Sequence, residues 1–344
     1  MCRGPDSIAL FLLARPPDAR RTCAGGALVR NWGARLRADL TLLGYAALVL
    51  ENPRLRVTVL AGRGGDVVEF LHKGTDTDFC TFTARGLRPA AESSGRTFMD
   101  VYYGGWQEVF PSGGAPCHFA GARFDQHAEV ALLPWRVQVL RDDPGAIAVA
   151  LEVRCLQTPY RIRREMHLAA EGAELRVRST VINEGAASSP AMWGQHLAFG
   201  PPYAGPGCLV ELPAGAHAVD RAAALPIHVL SRAPHRGEPS SVSYLTGFRE
   251  GRYVLRNPAR PVGIEIRWDA ALLPYLWCWR EAGAETGFPW WGRDYLLGLE
   301  PFSSYPTEGL AAAARNGTAL HFQPGESRTL EWAARVLEDT SSRG

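Results

Sequence analysis

The sequence predicts a single all-β domain of antiparallel strands, arranged as a sandwich or a barrel. Apolar and polar residues alternate with a period of two in many short segments, which is typical of strands that bury one face. The 36 Gly and 25 Pro residues are spread along the chain, so turn signals separate these segments throughout. Inside the domain only residues 308–314 have the pattern of a helix, with Thr307 placed to cap it and Gly317 to end it.

The period-two alternation defines the strands in order along the chain. It is clearest in the middle, where Glu171 and Gly172 predict the turn of a hairpin whose polar face lies in water. The predicted strands cover residues 55–59, 67–71, 135–139, 147–155, 160–168, 175–181, 262–268, 320–322 and 330–334.

The chain divides into one domain and two terminal segments. We expect residues 1–45 to be a poorly ordered extension, residues 46–338 to form the β-domain, and residues 339–344 to be a short tail. The extension contains a short apolar stretch, residues 8–14, followed at once by Arg15 and two prolines. Only Arg3 supplies a positive charge before it, so a signal peptide is the weaker interpretation.

The composition excludes several classes of protein. The 37 Lys and Arg residues balance 35 Asp and Glu residues, and no basic run is present, so nucleic acid is not an expected partner. No apolar run reaches the roughly 20 residues that a membrane span needs. The seven cysteines are far apart and form no CxxC pair, which predicts no disulfide framework, no cysteine zinc site and a cytoplasmic location.

Two segments place polar residues among apolar ones. One is flanked by glycines, and the other lies at the end of a predicted strand. The segment 104–114 surrounds Trp106 and Glu108 with glycines, as in loops that let a ligand approach the backbone. A surface loop with the Trp as a plug over the core is an equal interpretation. In an extended strand, His127 and Glu129 share a face and suit sugar hydroxyls; the alternative is an exposed pair at a strand end.

Two further polar residues interrupt apolar runs later in the chain. His196 stands in an apolar stretch, where a histidine is more often a core residue with its hydrogen bonds satisfied than a catalyst. Glu300 ends an apolar run before Pro301, where a carboxylate is costly unless it is paired or functional; a salt bridge to Arg293 is the alternative. Trp279 belongs to an aromatic strand face that either stacks on a sugar or fills the core.

Taken in order, these segments resemble the aldose 1-epimerase (galactose mutarotase-like) superfamily, and a divergent bacterial branch of it. The resemblance covers about residues 52–336 and rests on the Gly-Gly-Trp-Gln-Glu segment at 104–108, His127, His196, and Gly-Leu-Glu-Pro at 298–301. It departs from the family where Ala128 follows His127 in place of Gly. It also departs where Gln195 precedes His196 in place of Asn.

The resemblance implies an antiparallel β-sandwich of the supersandwich type and an anomer-exchanging activity. His196 is then the general acid that protonates the ring oxygen, and Glu300 the general base that takes the anomeric hydroxyl proton. His127, Glu129, Glu108, Trp106 and Trp279 are then substrate-binding residues. A small carbohydrate is the expected partner, and neither a metal nor an organic cofactor is needed.

Three other functions remain open at this level. One is a non-catalytic carbohydrate-binding protein, which retains the aromatic strand face of Trp279 without the proton chemistry. An ancillary domain of a polysaccharide-degrading enzyme is a second. A glycosidase with paired carboxylates is a third, but its diagnostic carboxylate separation cannot be measured in a sequence.

Overall fold

The computed structural model describes residues 33–220 and 224–338, which form antiparallel sheets joined by turns and short helices. The strands are β1 (Arg35–Leu42), β2 (Tyr45–Glu51), β3 (Leu55–Leu60), β4 (Asp66–His72), β5 (Thr77–Asp78), β6 (Trp106–Val109), β7 (Cys117–Phe119), β8 (Ala122–Phe124), β9 (Arg136–Asp143), β10 (Ala146–Arg154), β11 (Tyr160–Ala169), β12 (Glu174–Asn183), β13 (Ser189–Ala191), β14 (Gly194–Phe199), β15 (Leu209–Glu211), β16 (His217–Ala218), β17 (Ser241–Thr246), β18 (Gly251–Arg256), β19 (Val262–Trp268), β20 (Tyr275–Glu281), β21 (Leu296–Phe302), β22 (Leu320–Phe322) and β23 (Ser327–Glu338). The helices are α1 (Ala90–Ser93), α2 (Phe98–Val101), α3 (Ile227–Leu230) and α4 (Leu310–Arg315).

Two sheets dominate the architecture. The large sheet has 11 strands in the order β1-β2-β3-β4-β6-β14-β21-β20-β17-β16, with β5 paired to β4. The small sheet has 8 strands in the order β15-β18-β19-β23-β12-β11-β10-β9. Two further two-stranded sheets, the β7-β8 hairpin and the long-range pair β13-β22, lie outside both. The predicted hairpin is present as β11 and β12, in register from Tyr160–Asn183 to Leu168–Leu175.

The large sheet and the small sheet form a sandwich around one main core. Apolar side chains from both sheets, such as Val57 of β3 and Val149 of β10, belong to a single buried cluster. Polar contacts also join the sheets: the hydroxyl of Tyr253 on β18 donates to the carbonyl of Leu299 on β21 at 3.0 Å. The prediction of an all-β antiparallel sandwich is therefore confirmed.

The β-structure begins earlier in the chain than residue 46, where the sequence placed the start of the domain. Strand β1 pairs with β2 from Arg35–Glu51 to Leu42–Tyr45, with a register shift between Arg37 and Leu40. This strand lies at a sheet edge and is largely exposed, and its bulge interrupts the period-two pattern, so the sequence signal is weak. Residues 1–32 and 339–344, to which the predictions of an extension and a tail apply, lie outside the described residues.

The predicted helix exists as α4 but begins later than expected. Its N-cap is Gly309, with φ of 81°, and not Thr307. The Thr307 side chain instead shares a hydrogen bond of 2.8 Å with the hydroxyl of Tyr244, and this contact fixes it at the end of the large sheet. A threonine before a helical run is thus explained here by a tertiary contact rather than by capping.

Candidate functional site

The outer face of the large sheet carries a row of polar and aromatic side chains across adjacent strands. On β14 and β21 the pairs Gly194–Phe302 and Ala198–Gly298 place His196 opposite Glu300. Glu300 in turn pairs with Trp277 of β20. Because alternate residues of a strand share a face, these side chains point away from the core that Leu197 and Leu299 help to fill.

His196 and Glu300 form a close buried pair. Nε2 of His196 lies 3.7 Å from Oε1 of Glu300, and the residues are 4% and 2% exposed. Burial raises the pKa of Glu300 well above its ordinary value and lowers the pKa of His196 to about 4. Nδ1 of His196 has no hydrogen-bond partner among the described residues. The pair is therefore held with uncommitted hydrogen-bonding capacity.

His127 lies against His196 from a turn rather than from a strand. The centroids of the two rings are 5.0 Å apart, and His127 has a left-handed backbone with φ of 54°. The backbone N–H of Gly114 donates to its Nδ1 at 3.3 Å. Burial, and secondarily the neighbouring His196, lower the pKa of His127 well below its ordinary value. His127 is thus a neutral imidazole whose proton sits on Nε2, where it serves as a donor.

Aromatic rings enclose these polar groups in a cavity of about 290 Å³. Trp279 of β20 lies 5.9 Å from the His196 ring and 5.4 Å from Trp290, measured between ring centroids. Tyr102, which follows α2, packs edge-on against His196 at 5.4 Å. The hydroxyl of Tyr102 is buried and has no partner among the described residues. The cavity thus combines flat apolar surfaces with a few convergent polar groups, as small-molecule sites do.

Four of the seven residues predicted for the site line this cavity: His196, Glu300, His127 and Trp279. Trp106 and Glu108 do not, because the register pairs Trp106 with Leu197 and Glu108 with Gln195, on the core face of the sheet. Trp106 is buried in the main core, and its Nε1 donates to the carbonyl of Ala198 at 3.2 Å.

Glu108 is the centre of a buried polar cluster that connects the two sheets. Its carboxylate accepts hydrogen bonds from Arg164 at 2.7 Å, Ser179 at 2.9 Å and Trp193 at 2.8 Å. Each carboxylate oxygen therefore has a donor within the protein, and this indicates a structural role for Glu108. The substrate-binding role expected from the sequence is not retained for Glu108 or Trp106.

Glu129 also points away from the cavity. It accepts hydrogen bonds from the backbone N–H groups of Leu156 and Gln157 and from the Thr158 hydroxyl, at 2.6–2.7 Å. The expectation that His127 and Glu129 share a face assumed an extended strand. The left-handed backbone at His127 breaks that strand and sends the two side chains to different neighbours. The substrate-binding role of Glu129 is not retained either.

Several residues of the cavity escaped the sequence analysis. Phe98, Tyr102, Gln126 and Thr307 line it from loops and from α2. Tyr102 precedes the glycines of the 104–114 segment, which was the available signal. Arg280, the residue after Trp279, does not line the cavity. It lies on the core-facing side of β20, paired with Glu238 at 2.9 Å.

No group of three or more His, Cys, Asp or Glu side chains within residues 33–220 and 224–338 is arranged to hold a metal ion. None of the helices in this described part of the chain is long and apolar enough to cross a membrane.

Solved structures with this architecture identify the fold. A galactose mutarotase-like protein from Clostridium acetobutylicum superposes with a TM-score of 0.65 at 12% identity, covering 89% of this chain and 99% of that one. A proposed aldose 1-epimerase from Klebsiella pneumoniae gives a TM-score of 0.72 at 15% identity, covering 90% and 84%. The fold is that of the galactose mutarotase-like proteins, as the sequence resemblance implied.

Residues 43–336 match the family described as a domain of unknown function, DUF4432, and the chain belongs to that family. No curated protein matches it by sequence.

Proposed function

We propose that this protein binds a sugar in the cavity and interconverts its anomers by acid–base ring opening. The observation that carries the proposal is the pairing of His196 with Glu300, at 3.7 Å, inside an aromatic cavity. Exchange of anomers needs one group that accepts a proton and one that donates a proton, on either side of the hemiacetal. Neighbouring strands hold both groups in place, so little ordering is needed when a substrate binds.

His196 and Glu300 account for every proton that the reaction transfers. Glu300 takes the proton from the hydroxyl on C1 while His196 delivers a proton to the ring oxygen, and the bond between C1 and the ring oxygen breaks. The C1–C2 bond of the open aldehyde rotates. His196 then recovers its proton as the hydroxyl attacks C1 from the other face, and Glu300 returns its proton to the oxygen on C1.

The pair must hold one proton for this chemistry. Burial favours neutral His196 and protonated Glu300, and that state contains the required single proton. Sugar hydroxyls that donate to Glu300 stabilise its carboxylate and thereby favour transfer of the proton to His196. His127 binds the substrate through its Nε2 proton, and Trp279 supplies an apolar face for the ring.

Anomer exchange measured by NMR tests the proposal. The exchange rates of a panel of aldoses, uronates and sugar phosphates are measured with wild type, with His196→Ala and with His167→Ala. His167 is a control histidine on the small sheet whose side chain is 47% exposed. We expect exchange to accelerate for at least one sugar with wild type and the control, but not with His196→Ala. Resonances that broaden or shift without any acceleration would instead favour a non-catalytic carbohydrate-binding protein.

A further inference from the structure

A second cavity lies beside the large sheet, apart from the cavity of His196 and Glu300. The β1–β2 turn, the β3–β4 turn and the segment that joins α1 to α2 enclose it, and its volume is about 320 Å³. No residue lines both cavities. The polar side chains of the second cavity are those of Tyr45, Arg63, Ser93, Ser94 and Arg96. Since no Asp or Glu among the described residues lines it, the second cavity is electropositive and rich in hydrogen-bond donors.

The guanidinium of Arg63 is buried in this cavity wall without a carboxylate partner. Arg63 is 3% exposed, its Nη1 donates to the carbonyl of Val101 at 2.9 Å, and the group lies 4.9 Å from the centroid of the Tyr103 ring. Its Nε has no hydrogen-bond partner among the described residues, and no carboxylate of that part of the chain forms an ion pair with it. Arginine is almost never this buried unless it is paired, because an uncompensated buried charge is destabilising. Arg63 therefore has a capacity to bind an anion that the described protein groups do not use.

Asp66, the carboxylate nearest to Arg63 in sequence, is committed elsewhere. It accepts a hydrogen bond from the Tyr103 hydroxyl at 2.6 Å and a longer one, of 3.5 Å, from the Gln107 amide. Burial raises the pKa of Asp66 to about 6, even though the positive charge of Arg63 acts in the opposite sense. A carboxyl in a close ion pair would instead have a lowered pKa. Asp66 thus offsets the charge of Arg63 only in part.

The other polar groups of the second cavity suit an oxyanion. Tyr45 is 6% exposed, and its hydroxyl has no hydrogen-bond partner among residues 33–220 and 224–338. Arg96 is exposed and has no ion-pair partner in the same described ranges. Ser94 adds a further hydroxyl to the lining. Guanidinium and hydroxyl donors gathered in one cavity are the groups that recognise phosphates and carboxylates.

We propose that the second cavity is a binding site for an oxyanion, the phosphate or carboxylate group of a small molecule, which pairs with Arg63 and Arg96 and accepts a hydrogen bond from Tyr45. Its volume of about 320 Å³ lies within the roughly 300–1,000 Å³ of ligand pockets, so it has room for a small organic molecule that carries the anion. The inference is independent of the proposed function, because the residues of the second cavity do not line the cavity beside His196.

Calorimetric titration with inorganic phosphate, sulfate and citrate, at constant ionic strength, tests this site. We expect wild type to bind at least one of these anions, and Arg63→Gln to weaken that binding by about tenfold or more. Arg96→Gln and Tyr45→Phe should each weaken it by about threefold to tenfold, and Tyr45→Phe removes only the hydroxyl. Arg136→Gln, which removes an exposed arginine of β9 and changes the net charge equally, should bind as wild type does.

The remaining outcomes decide where the anion binds and what it is. His196→Ala should retain anion binding; a loss of binding in that variant would place the anion in the other cavity and overturn the inference. Absence of binding to wild type, or wild-type affinity in the folded Tyr45→Phe and Arg96→Gln proteins, would also overturn it, even if Arg63→Gln fails to fold. Binding of phosphate and sulfate without citrate would identify a phosphate ligand, and binding of citrate alone a carboxylate ligand.

Discussion

His196 and Glu300 face each other across the β14–β21 ladder, with Nε2 of the imidazole 3.7 Å from Oε1 of the carboxyl. This separation exceeds that of a good hydrogen bond, so neither group is committed to the other. Both belong to central strands of the large sheet, and their spacing is therefore set by backbone pairing rather than by a loop.

Glu300→Gln should reduce anomer exchange by about 10²- to 10⁴-fold, because it removes one of the two proton-transfer groups while retaining the shape of the side chain. Exchange rates from NMR and the far-UV circular dichroism of the variant would be measured together. Glu331→Gln, at an exposed position of the small sheet, is the matched control. Full activity in a folded Glu300→Gln protein would show that Glu300 is not the base.

The pH dependence of kcat/KM should show its acidic limb near pH 4 rather than near pH 6.5. The pair must hold one proton, and burial lowers the pKa of His196 to about 4, so a second proton is added only below that pH. The alkaline limb should lie above the ordinary pKa of a glutamic acid, because burial raises the pKa of Glu300. A loss of activity centred near pH 6.5 on acidification would contradict this assignment.

His127→Leu should weaken sugar binding by about fivefold to tenfold, with a smaller effect on kcat, since it removes the Nε2 donor. His127→Gln, whose amide supplies a donor in a similar place, should recover part of the affinity. Because the N–H of Gly114 also loses its acceptor, the melting temperature of each variant is needed beside KM. Equal KM values for the two variants would argue against a role for the donor.

Glu108→Ala should destabilise the fold by about 3–5 kcal/mol, because it leaves the Arg164 guanidinium buried without its carboxylate. Urea unfolding measures this change. Glu174→Ala, which breaks an exposed pair with Arg176 on the small sheet, should cost about 1 kcal/mol or less. Similar losses for the two variants would mean that Glu108 does not have the structural role described above.

Asp66 should make stability depend on pH. Burial raises its pKa to about 6, so the folded state binds a proton that the unfolded state has released between about pH 4 and 6. Its contribution is fully present below the unfolded pKa and is lost as pH rises, by on the order of 1.4 kcal/mol per pH unit. The lowered pKa values of His127 and His196 act in the opposite sense, so wild type must be compared with Asp66→Asn.

The unfolding free energy of wild type minus that of Asp66→Asn should therefore decrease from pH 4 to pH 6. A flat difference for Asp66→Asn would show that the carboxyl titrates normally, despite its hydrogen bond of 2.6 Å from the Tyr103 hydroxyl.

The sequence was sufficient for the fold class and for the central pair. Strict alternation, as in β11 and β12, identifies a strand and its buried face without knowledge of its neighbours. His196 and Glu300 were singled out because each interrupts an apolar run, and a polar group in such a position needs a partner or a function. Both lie in one cavity, as the resemblance implied.

Tertiary structure decided which residues of two neighbouring strands share a face of the sheet. Trp106 and Glu108 share one face of β6, but only the pairing of β6 with β14 puts that face on the core side and His196 on the other. The period of one strand carries no information about the register of the next.

The remaining differences have the same origin in contacts between distant segments. One positive φ, at His127, separates that side chain from Glu129, and tertiary hydrogen bonds with residues 156–158 then occupy the carboxylate. Composition and local pattern therefore determined that this chain folds as an antiparallel sandwich and which polar residues are unusual in it. Strand register and turn geometry decided which of them meet, because proximity between residues far apart in sequence arises only when the sheets are assembled.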